Sequence, residues 1–208
     1  MSAPRGRLVA LEGIDGCGKS TQARILADRL GAVSTFEPGA TPLGASLRTL
    51  LLAPDGDPVA PRAEALLMAA DRAQHVTDDI APALDAGRWV VTDRYAASTL
   101  AYQGYGRGLD RAELESLVGW ATGGLAPDLT VLFDLPVEVA AARRGDDGAD
   151  RMESEGLAFL RRVADGYLAL AGERRDPWLV VDATAPVDEV AAVVWDAVGL
   201  LAGPGGRP

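Results

Sequence analysis

The hydrophobic and polar positions divide the chain into short apolar runs that alternate with longer segments in which apolar residues recur every three or four positions. The short runs predict five β-strands, over Arg7–Glu12, Ala32–Phe36, Arg88–Asp93, Asp128–Leu135 and Trp178–Asp182. The longer segments predict helices over Ser20–Leu30, Leu43–Leu52, Pro61–Gln74, Val76–Ala86, Tyr95–Tyr102, Arg111–Ala121, Val137–Arg144, Leu157–Ala171 and Val187–Leu201. This alternation is typical of an α/β fold in which helices cover both faces of a five-stranded parallel sheet.

Turn-forming and charged residues mark the expected interruptions. Pro82 is expected to kink or break its helix, and the glycine-rich stretch Gly104–Gly108 is expected to separate two helices. Loops are expected at Ala53–Pro58 and Gly145–Asp150. Because there is no internal repeat or linker, the 208 residues predict a single domain over residues 1–202 and a flexible tail over residues 203–208.

Composition and charge exclude several classes of protein. Hydrophobic residues make up 48% and charged residues 24% of the chain, which excludes a disordered or coiled-coil protein. The apolar runs are far shorter than the roughly 18 residues that cross a bilayer, and the N-terminus has no signal-peptide pattern, so we expect a cytoplasmic protein with no membrane partner. A net charge of −10 argues against nucleic-acid binding, and a single cysteine, Cys17, excludes an intrachain disulfide.

The segment Gly13–Ser20 matches the phosphate-binding pattern G-x-x-x-x-G-K-[ST] and lies between a predicted strand and a predicted helix. In such a loop, backbone N–H groups converge on phosphate oxygens, Lys19 neutralises the β- and γ-phosphates, and the Ser20 hydroxyl ligates Mg²⁺. Lys19 is the only lysine among 20 basic residues, which favours a specific role over the alternative of a ligand-free glycine-rich turn. We therefore expect a P-loop NTPase-type three-layer fold that binds ATP through Gly13, Ile14, Asp15, Gly16, Cys17, Gly18, Lys19, Ser20 and Thr21.

A second candidate site lies at the end of the third predicted strand, where Asp93 and Arg94 follow a buried apolar run. Ligands of open parallel sheets bind at the carboxyl ends of the strands. Asp93 would there orient Mg²⁺-bound water or hold an arginine, and Arg94 would bridge two phosphate groups; the alternative is an ordinary ion pair at a strand end. Signalling GTPases are excluded, because their guanine-recognition loop needs asparagine and the chain has none.

Three blocks of sequence resemble the bacterial thymidylate kinase family. They comprise Leu11–Gln22, Glu37–Gly44, and Asp93–Tyr95 followed by Ala101–Gly104, in the order and at the spacing of that family, and similarity continues to Ala183. The resemblance implies ATP-dependent phosphorylation of dTMP to dTDP, with Mg²⁺ as cofactor, by a homodimer. Because the phosphate of such an acceptor is mostly anionic at neutral pH, the reaction needs no general base.

The resemblance implies which residues bind the acceptor phosphate and base. Arg94 would bind the transferring phosphates, and Arg48 would bind the phosphate of dTMP. Arg72 would lie at the thymine edge, while Thr99 and Gln103 match positions that recognise the base. Without the resemblance, Arg48 and Arg72 would be interpreted as solvated arginines on helix surfaces.

Two acidic residues and a tyrosine have implied roles near the sugar. Asp15 would contact the 3′-hydroxyl of the acceptor, which explains an anion inside a phosphate-binding loop. Tyr102 would line the sugar pocket and disfavour a 2′-hydroxyl. Glu37 would act through hydrogen bonds or water near the acceptor; the alternative is a loop carboxylate at a helix N-terminus.

The sequence departs from the family pattern at three positions. Met68 stands where the family usually has a phenylalanine that stacks on thymine, and its sulfur is expected to lie against the base or to pack in the core. Phe36 replaces an arginine that commonly precedes Glu-Pro-Gly, so one cation of the usual set is missing. Gly16 occupies the position that has an arginine in one branch of the family.

Because Gly16 supplies no charge, another cation must stabilise the transferring group. Residues 143–155 resemble the lid of the other branch of the family, in which Arg144 or Arg151 would be the arginine that swings over ATP and contributes roughly 10³–10⁵ in rate. A mobile lid would also exclude water from the reaction. The alternative is a solvated charged loop.

The remaining conspicuous residues are expected to be structural. His75, the only histidine, lies at a predicted helix boundary and is expected to cap the helix or lie at the surface. One histidine and one cysteine cannot form a His/Cys metal site. The tryptophans are assigned to the core or to a dimer face, namely Trp89, Trp120, Trp178 and Trp195. The rival functions are a deoxynucleoside kinase, another pyrimidine monophosphate kinase, and a non-catalytic ATP-binding module.

Overall fold

Five parallel strands form the central sheet of the computed structural model, which describes residues 5–53, 57–144, 152, 155–173 and 177–201. The strands extend over Leu8–Glu12 (β1), Val33–Phe36 (β2), Val90–Asp93 (β3), Leu129–Asp134 (β4) and Trp178–Asp182 (β5). Their order across the sheet is β2-β3-β1-β4-β5, and Leu11 of β1 lies between Asp93 of β3 and Val131 of β4. The predicted five-stranded parallel sheet is therefore confirmed.

Nine α-helices connect and cover the strands in the described part of the chain. They extend over Lys19–Leu30 (α1), Pro42–Leu52 (α2), Pro61–His75 (α3), Ala81–Asp85 (α4), Ala96–Thr99 (α5), Arg111–Thr122 (α6), Val137–Arg144 (α7), Leu157–Gly172 (α8) and Val187–Leu201 (α9). Two π-helical segments continue helices without an intervening loop, Val76–Ile80 after α3 and Leu100–Gly106 after α5.

Helices lie on both faces of the sheet because successive side chains of a strand point to opposite sides. Val9 and Leu11 belong to a large hydrophobic cluster that includes residues of α1, α8 and α9. Leu8 and Ala10 belong to a smaller cluster that includes residues of α4 and of the first π-helical segment. Burial on both faces explains why β1 is apolar throughout, and it confirms the predicted three-layer arrangement.

The structure differs from the prediction in two helical regions. Pro82 does not break its helix, because the π-helical turn Val76–Ile80 leads directly into α4 and accommodates the absence of an N–H on proline. The glycine-rich stretch expected to separate two helices instead stays helical as far as Gly106. A Cβ on Gly106 would lie 2.7 Å from the Phe159 ring of α8, so this glycine allows the two helices to pack closely.

Several predicted features lie outside the described residues. These are residues 54–56 of the loop Ala53–Pro58, the loop Gly145–Asp150, Arg151, and the tail from residue 203. Within the described ranges, no helix is long and apolar enough to cross a membrane.

Candidate active site

The carboxyl ends of neighbouring strands bring the predicted site residues together. Strand β1 leads into the glycine-rich loop, β2 leads into Glu37, and β3 leads into Arg94. Because β3 lies between β1 and β2, residues after all three strands meet at one edge of the sheet.

The glycine-rich loop folds around the Lys19 side chain. Gly13, Gly16 and Gly18 have positive φ angles of 142°, 86° and 94°, which disfavour residues with a side chain. The Lys19 Nζ donates to the Ile14 carbonyl at 2.9 Å and lies 3.8 Å from Asp15 Oδ1. Helix α1 begins directly after Gly18, with no side-chain cap on its first turn, so the loop has the geometry of an anion site at a helix N-terminus.

Ser20 and Asp93 form a polar pair beside this loop. The Ser20 hydroxyl donates to Asp93 Oδ2 at 2.5 Å. The other carboxylate oxygen, Asp93 Oδ1, is buried without a hydrogen-bond partner among the described residues. A hydroxyl and an unpartnered carboxylate oxygen are suitable oxygen ligands for Mg²⁺ or its bound water, so the residues present fit this ion.

Arg94 is held in an uncommon backbone conformation with φ = 72°. Its guanidinium donates to the Gly13 carbonyl at 3.1 Å, to Asp15 Oδ1 at 2.5 Å and to the Tyr102 hydroxyl at 3.2 Å. Burial acts to raise the pKa of Asp15, but the charges of Arg94 and Lys19 outweigh it and hold the pKa well below its usual value. The loop therefore presents an ionised carboxylate between two cations.

One pocket brings together every residue predicted to bind the acceptor. Its lining includes Asp15, Glu37, Arg48, Met68, Arg72, Arg94, Thr99, Tyr102 and Gln103. Arg48 donates to the Pro38 carbonyl at 2.8 Å, and its guanidinium lies 5.9 Å from the centre of the Phe36 ring. Phe36, which stands where the resemblance implies an arginine in other family members, thus lies next to Arg48.

Arg72 is buried in the wall of this pocket and uses all three guanidinium nitrogens. Nε donates to Glu37 Oε2 at 2.8 Å, Nη1 to Thr99 Oγ1 at 2.9 Å, and Nη2 to the Tyr95 carbonyl at 2.9 Å. The interpretation of Arg72 as a solvated helix arginine is excluded by this burial. The guanidinium is fixed in one orientation.

The prediction for His75 is wrong, because its side chain is fully buried. Its ring lies between β2 and the end of α3, where Nδ1 is 3.0 Å from Glu37 Oε1 and Nε2 is 2.6 Å from Thr35 Oγ1. Glu37 is also buried and joins Arg72 to His75, so it is not a loop carboxylate at a helix N-terminus. These contacts join residues 35 to 40 positions apart, which local sequence patterns do not show.

Sequence reasoning missed a buried carboxylate, Glu12, beneath the pocket. Its oxygens accept from the Tyr95 and Ser98 backbone amides at 2.9 and 3.2 Å, and from the Ser98 and Tyr167 hydroxyls at 2.6 and 2.9 Å. Burial raises the pKa of Glu12 despite these donors. The sequence signal that could have revealed Glu12 is an acidic residue at the end of a fully apolar strand. Its partner Tyr167 lies within an amphipathic helix, where the sequence gives no such signal.

Two further acidic residues were not predicted: one contacts a residue of the pocket lining, and the other lines the pocket itself. Glu64 is fully buried and accepts from the Gln103 amide at 2.8 Å and from Arg107 at 3.1 Å. Asp71 lines the pocket and accepts from the Gly39 backbone amide at 3.0 Å. Burial, followed by the negative charge of Glu37, raises the pKa of Asp71 to about 6.

The part of the site that is predicted to bind ATP lies next to the glycine-rich loop. A second pocket is lined by Lys19, Ser20, Thr21 and Arg143, among others. Arg143 donates to the Ala183 carbonyl at 2.8 Å and also borders a neighbouring pocket formed with Ala183–Val187. Arg144 ends α7, but its side chain lies outside the described part of the chain, as does Arg151.

The sheet order, the phosphate loop after β1 and a second pocket next to that loop define the class of P-loop nucleotide kinases. The thymidylate kinase family model matches residues 11–194. The chain is 53% identical over 200 residues to the thymidylate kinase of Synechococcus sp. (strain CC9902), with 91% of this chain and 95% of that protein covered. It is 49% identical over 205 residues to the thymidylate kinase of Carboxydothermus hydrogenoformans, with 96% of this chain and 98% of that protein covered.

A solved structure agrees with these sequence relatives. The crystal structure of thymidylate kinase from Ehrlichia chaffeensis superposes with a TM-score of 0.76 at 30% identity, covering 94% of this chain and 99% of that one. The chain belongs to the thymidylate kinase family, whose members transfer the γ-phosphoryl group of ATP to dTMP. This is the predicted enzyme class, and none of these relatives supports the rival functions.

Proposed function

We propose that the chain phosphorylates dTMP by Mg²⁺-assisted, in-line transfer between two adjoining pockets. One observation is central: Asp15, Glu37, Arg48 and Arg94 line both the pocket at the glycine-rich loop and the pocket that contains the predicted acceptor residues. A donor and an acceptor bound there would place their phosphates on either side of Arg94. Fixed cations at such a boundary stabilise the charge that develops during phosphoryl transfer.

On the donor side, the loop Gly13–Thr21 holds the phosphates of ATP, with Lys19 beside the β- and γ-phosphates. Ser20 and Asp93 hold Mg²⁺, which when bound neutralises charge on the phosphates of ATP. The unpartnered Oδ1 of Asp93 supports this assignment. Arg144 and Arg151 remain the proposed lid arginines.

On the acceptor side, Arg48 binds the phosphate of dTMP, whose ionised oxygen attacks without a general base. Arg72, Thr99 and Gln103 bind the thymine, with Met68 against the ring, and their hydrogen bonds to fixed partners support this. Asp15 binds the 3′-hydroxyl and Tyr102 lines the sugar side of the pocket. The Tyr102 hydroxyl donates to Asp15 Oδ2 at 3.2 Å, so the two side chains are in direct contact.

We also propose a homodimer that acts in the cytoplasm. Support for the dimer comes from large apolar side chains left exposed on three packed helices, Leu50 on α2, Leu66 on α3 and Trp120 on α6. Trp120 is 83% exposed, so the core alternative does not apply to it, whereas the other three tryptophans are partly buried against the core.

Acceptor specificity tests the proposal. ADP release should be measured with dTMP, dUMP, dCMP, AMP, GMP and thymidine, and dTMP is expected to give the highest kcat/KM. Lys19→Ala is expected to abolish turnover, whereas Arg24→Ala, which removes an exposed cation from the same helix, should preserve it. Equal turnover of all acceptors, or an active Lys19→Ala enzyme with unchanged kcat, would refute the assignment.

A further inference from the structure

The buried His75 side chain is not used by the proposed reaction, yet both of its ring nitrogens have partners. Nδ1 lies 3.0 Å from Glu37 Oε1, and Nε2 lies 2.6 Å from Thr35 Oγ1. Because a carboxylate oxygen only accepts hydrogen bonds, Nδ1 is the nitrogen that donates to Glu37. In the neutral ring Nε2 then accepts from the Thr35 hydroxyl, so strand β2 fixes the rotation of the ring.

The two oxygens of Glu37 have separate partners. Oε1 accepts a hydrogen bond from His75, and Oε2 accepts one from Nε of Arg72 at 2.8 Å, its only donor among the described residues. This leaves Nη1 of Arg72 for Thr99 and Nη2 for the Tyr95 carbonyl. If Oε1 lost its donor, the buried carboxylate would gain most by rotating toward a second guanidinium nitrogen, because an unpaired buried acceptor is costly.

We propose that His75 is a positioning residue for the acceptor base: through Glu37 it keeps the Arg72 guanidinium oriented toward Thr99 and the pocket. The inference rests on the proposed role of Arg72 in binding thymine. His75 and Arg72 lie three residues apart on α3, so they share one face of the helix. Thr35, His75, Glu37 and Arg72 thus form one continuous chain of contacts from β2 to the pocket wall.

Two conservative substitutions separate the two bonds of the ring. His75→Asn places an amide near the position of Nδ1 and retains the donor to Glu37. In His75→Gln the amide reaches toward Thr35, near the position of Nε2, and Glu37 loses its donor. We expect His75→Gln to raise the KM for dTMP by about tenfold, the usual effect of losing a hydrogen bond to a charged group. We expect His75→Asn to stay within about threefold of the unsubstituted enzyme, and the KM for ATP to stay unchanged in both.

Ile80→Ala is the matched control for stability. Ile80 is fully buried five residues further along the same helical region and lines none of the pockets at the site. It should lower the thermal midpoint without changing the KM for dTMP. Equal effects of the Asn and Gln substitutions on that KM, or a KM that follows the thermal midpoint across all three variants, would overturn the proposal.

A double-mutant cycle with Arg72→Lys completes the test. If His75 acts through Arg72, His75→Gln should raise the KM by less than twofold when Arg72 is already lysine, because residues in one network are not additive. A full tenfold rise of the KM in the Arg72→Lys background would overturn the proposed role of His75 but not that of Arg72. An unchanged KM for dTMP in Arg72→Lys itself would instead refute the proposed role of Arg72.

Discussion

Helix α7 leaves no room for a side chain at Gly16. A Cβ at this position would lie 2.3 Å from the Ala140 carbonyl oxygen, and the residue also has a positive φ of 86°. An arginine at this position, which the resemblance implies for one branch of the family, would therefore require movement of α7. Comparing Gly16 with another glycine of positive φ in the same loop separates the effect of steric overlap from that of backbone strain.

Gly16→Ala is therefore expected to destabilise the protein more than Gly18→Ala. Both substitutions place a Cβ on a residue with positive φ, at a cost of roughly 1–2 kcal/mol in the free energy of unfolding. At Gly18 no atom lies within 4 Å of the added Cβ, whereas at Gly16 it overlaps α7. Thermal and urea unfolding measure the difference, and equal losses would show that α7 moves aside without cost.

Asp71 should make stability depend on pH. Its pKa is raised from 3.8 to about 6 in the folded protein, mainly by burial. Because the folded pKa is the higher one, the stabilisation due to this group is complete below about pH 4 and is lost as the pH rises to about 6.

Asp71→Asn should remove this loss of stability. Screening by water reduces the full effect of the pKa shift, so we expect a gain of about 1 kcal/mol in the free energy of unfolding at pH 8 and little change at pH 4. Urea unfolding at both pH values measures this gain in the free energy of unfolding. Asp165→Asn, an exposed site on α8, is the control, and an equal gain there would contradict the explanation.

At the scale of secondary structure, Glu12 anchors the helical segment that contains residues proposed to bind the acceptor. Its carboxylate accepts both the Tyr95 and Ser98 amides at the start of α5. The following turns contain Thr99, Tyr102 and Gln103. The end of β1 therefore positions the acceptor pocket as well as the phosphate loop.

Removing this anchor should loosen α5 and weaken acceptor binding. Glu12→Ala leaves the buried Tyr95 amide without its acceptor, at about 1–3 kcal/mol in the free energy of unfolding, whereas the Ser98 amide keeps the Tyr95 carbonyl at 3.2 Å. We expect faster hydrogen exchange over residues 95–106 and a higher KM for dTMP, with ATP binding little changed. Glu12→Gln retains one carbonyl oxygen, so its exchange rate and its KM for dTMP should lie between those of Glu12→Ala and those of the unsubstituted protein. Unchanged exchange in Glu12→Ala would show that packing against α8 alone holds the segment.

The sequence predicts elements well where local periodicity determines them, as for α7, β5 and α9, whose predicted and observed bounds agree. It fails at Gly104–Gly108, because glycine normally ends a helix whereas here Phe159 of α8 packs against Gly106. Likewise, the phosphate loop is a local motif, but the burial of His75 depends on Thr35 and Glu37, which the fold brings in from another strand. The missed residues are thus those whose partners lie far away in sequence.

For the whole molecule, the order of the strands explains why one edge of the sheet holds both pockets. Strand β1 lies between β3 and β4, so the phosphate loop is adjacent to Arg94 on one side and to α7 on the other. Helix α3 packs against both α2 and α6. Residues on α2 and α3 that line the acceptor pocket are therefore close to the exposed apolar side chains of the same helices.

This arrangement leads to a prediction about assembly. Leu66 on α3 is 59% exposed, and the same helix contributes Met68 and Arg72 to the pocket, so a partner that covers Leu66 would also brace the helix that forms this pocket wall. Leu66→Glu is expected to convert the proposed dimer to a monomer, because burying an unpaired carboxylate in an apolar interface is unfavourable, and to raise the KM for dTMP. Light scattering after size-exclusion chromatography measures the mass. Leu200→Glu, at an 84% exposed site on α9, should leave the mass unchanged; a monomeric parent protein, or a Leu66→Glu dimer, would show that this face is not the interface.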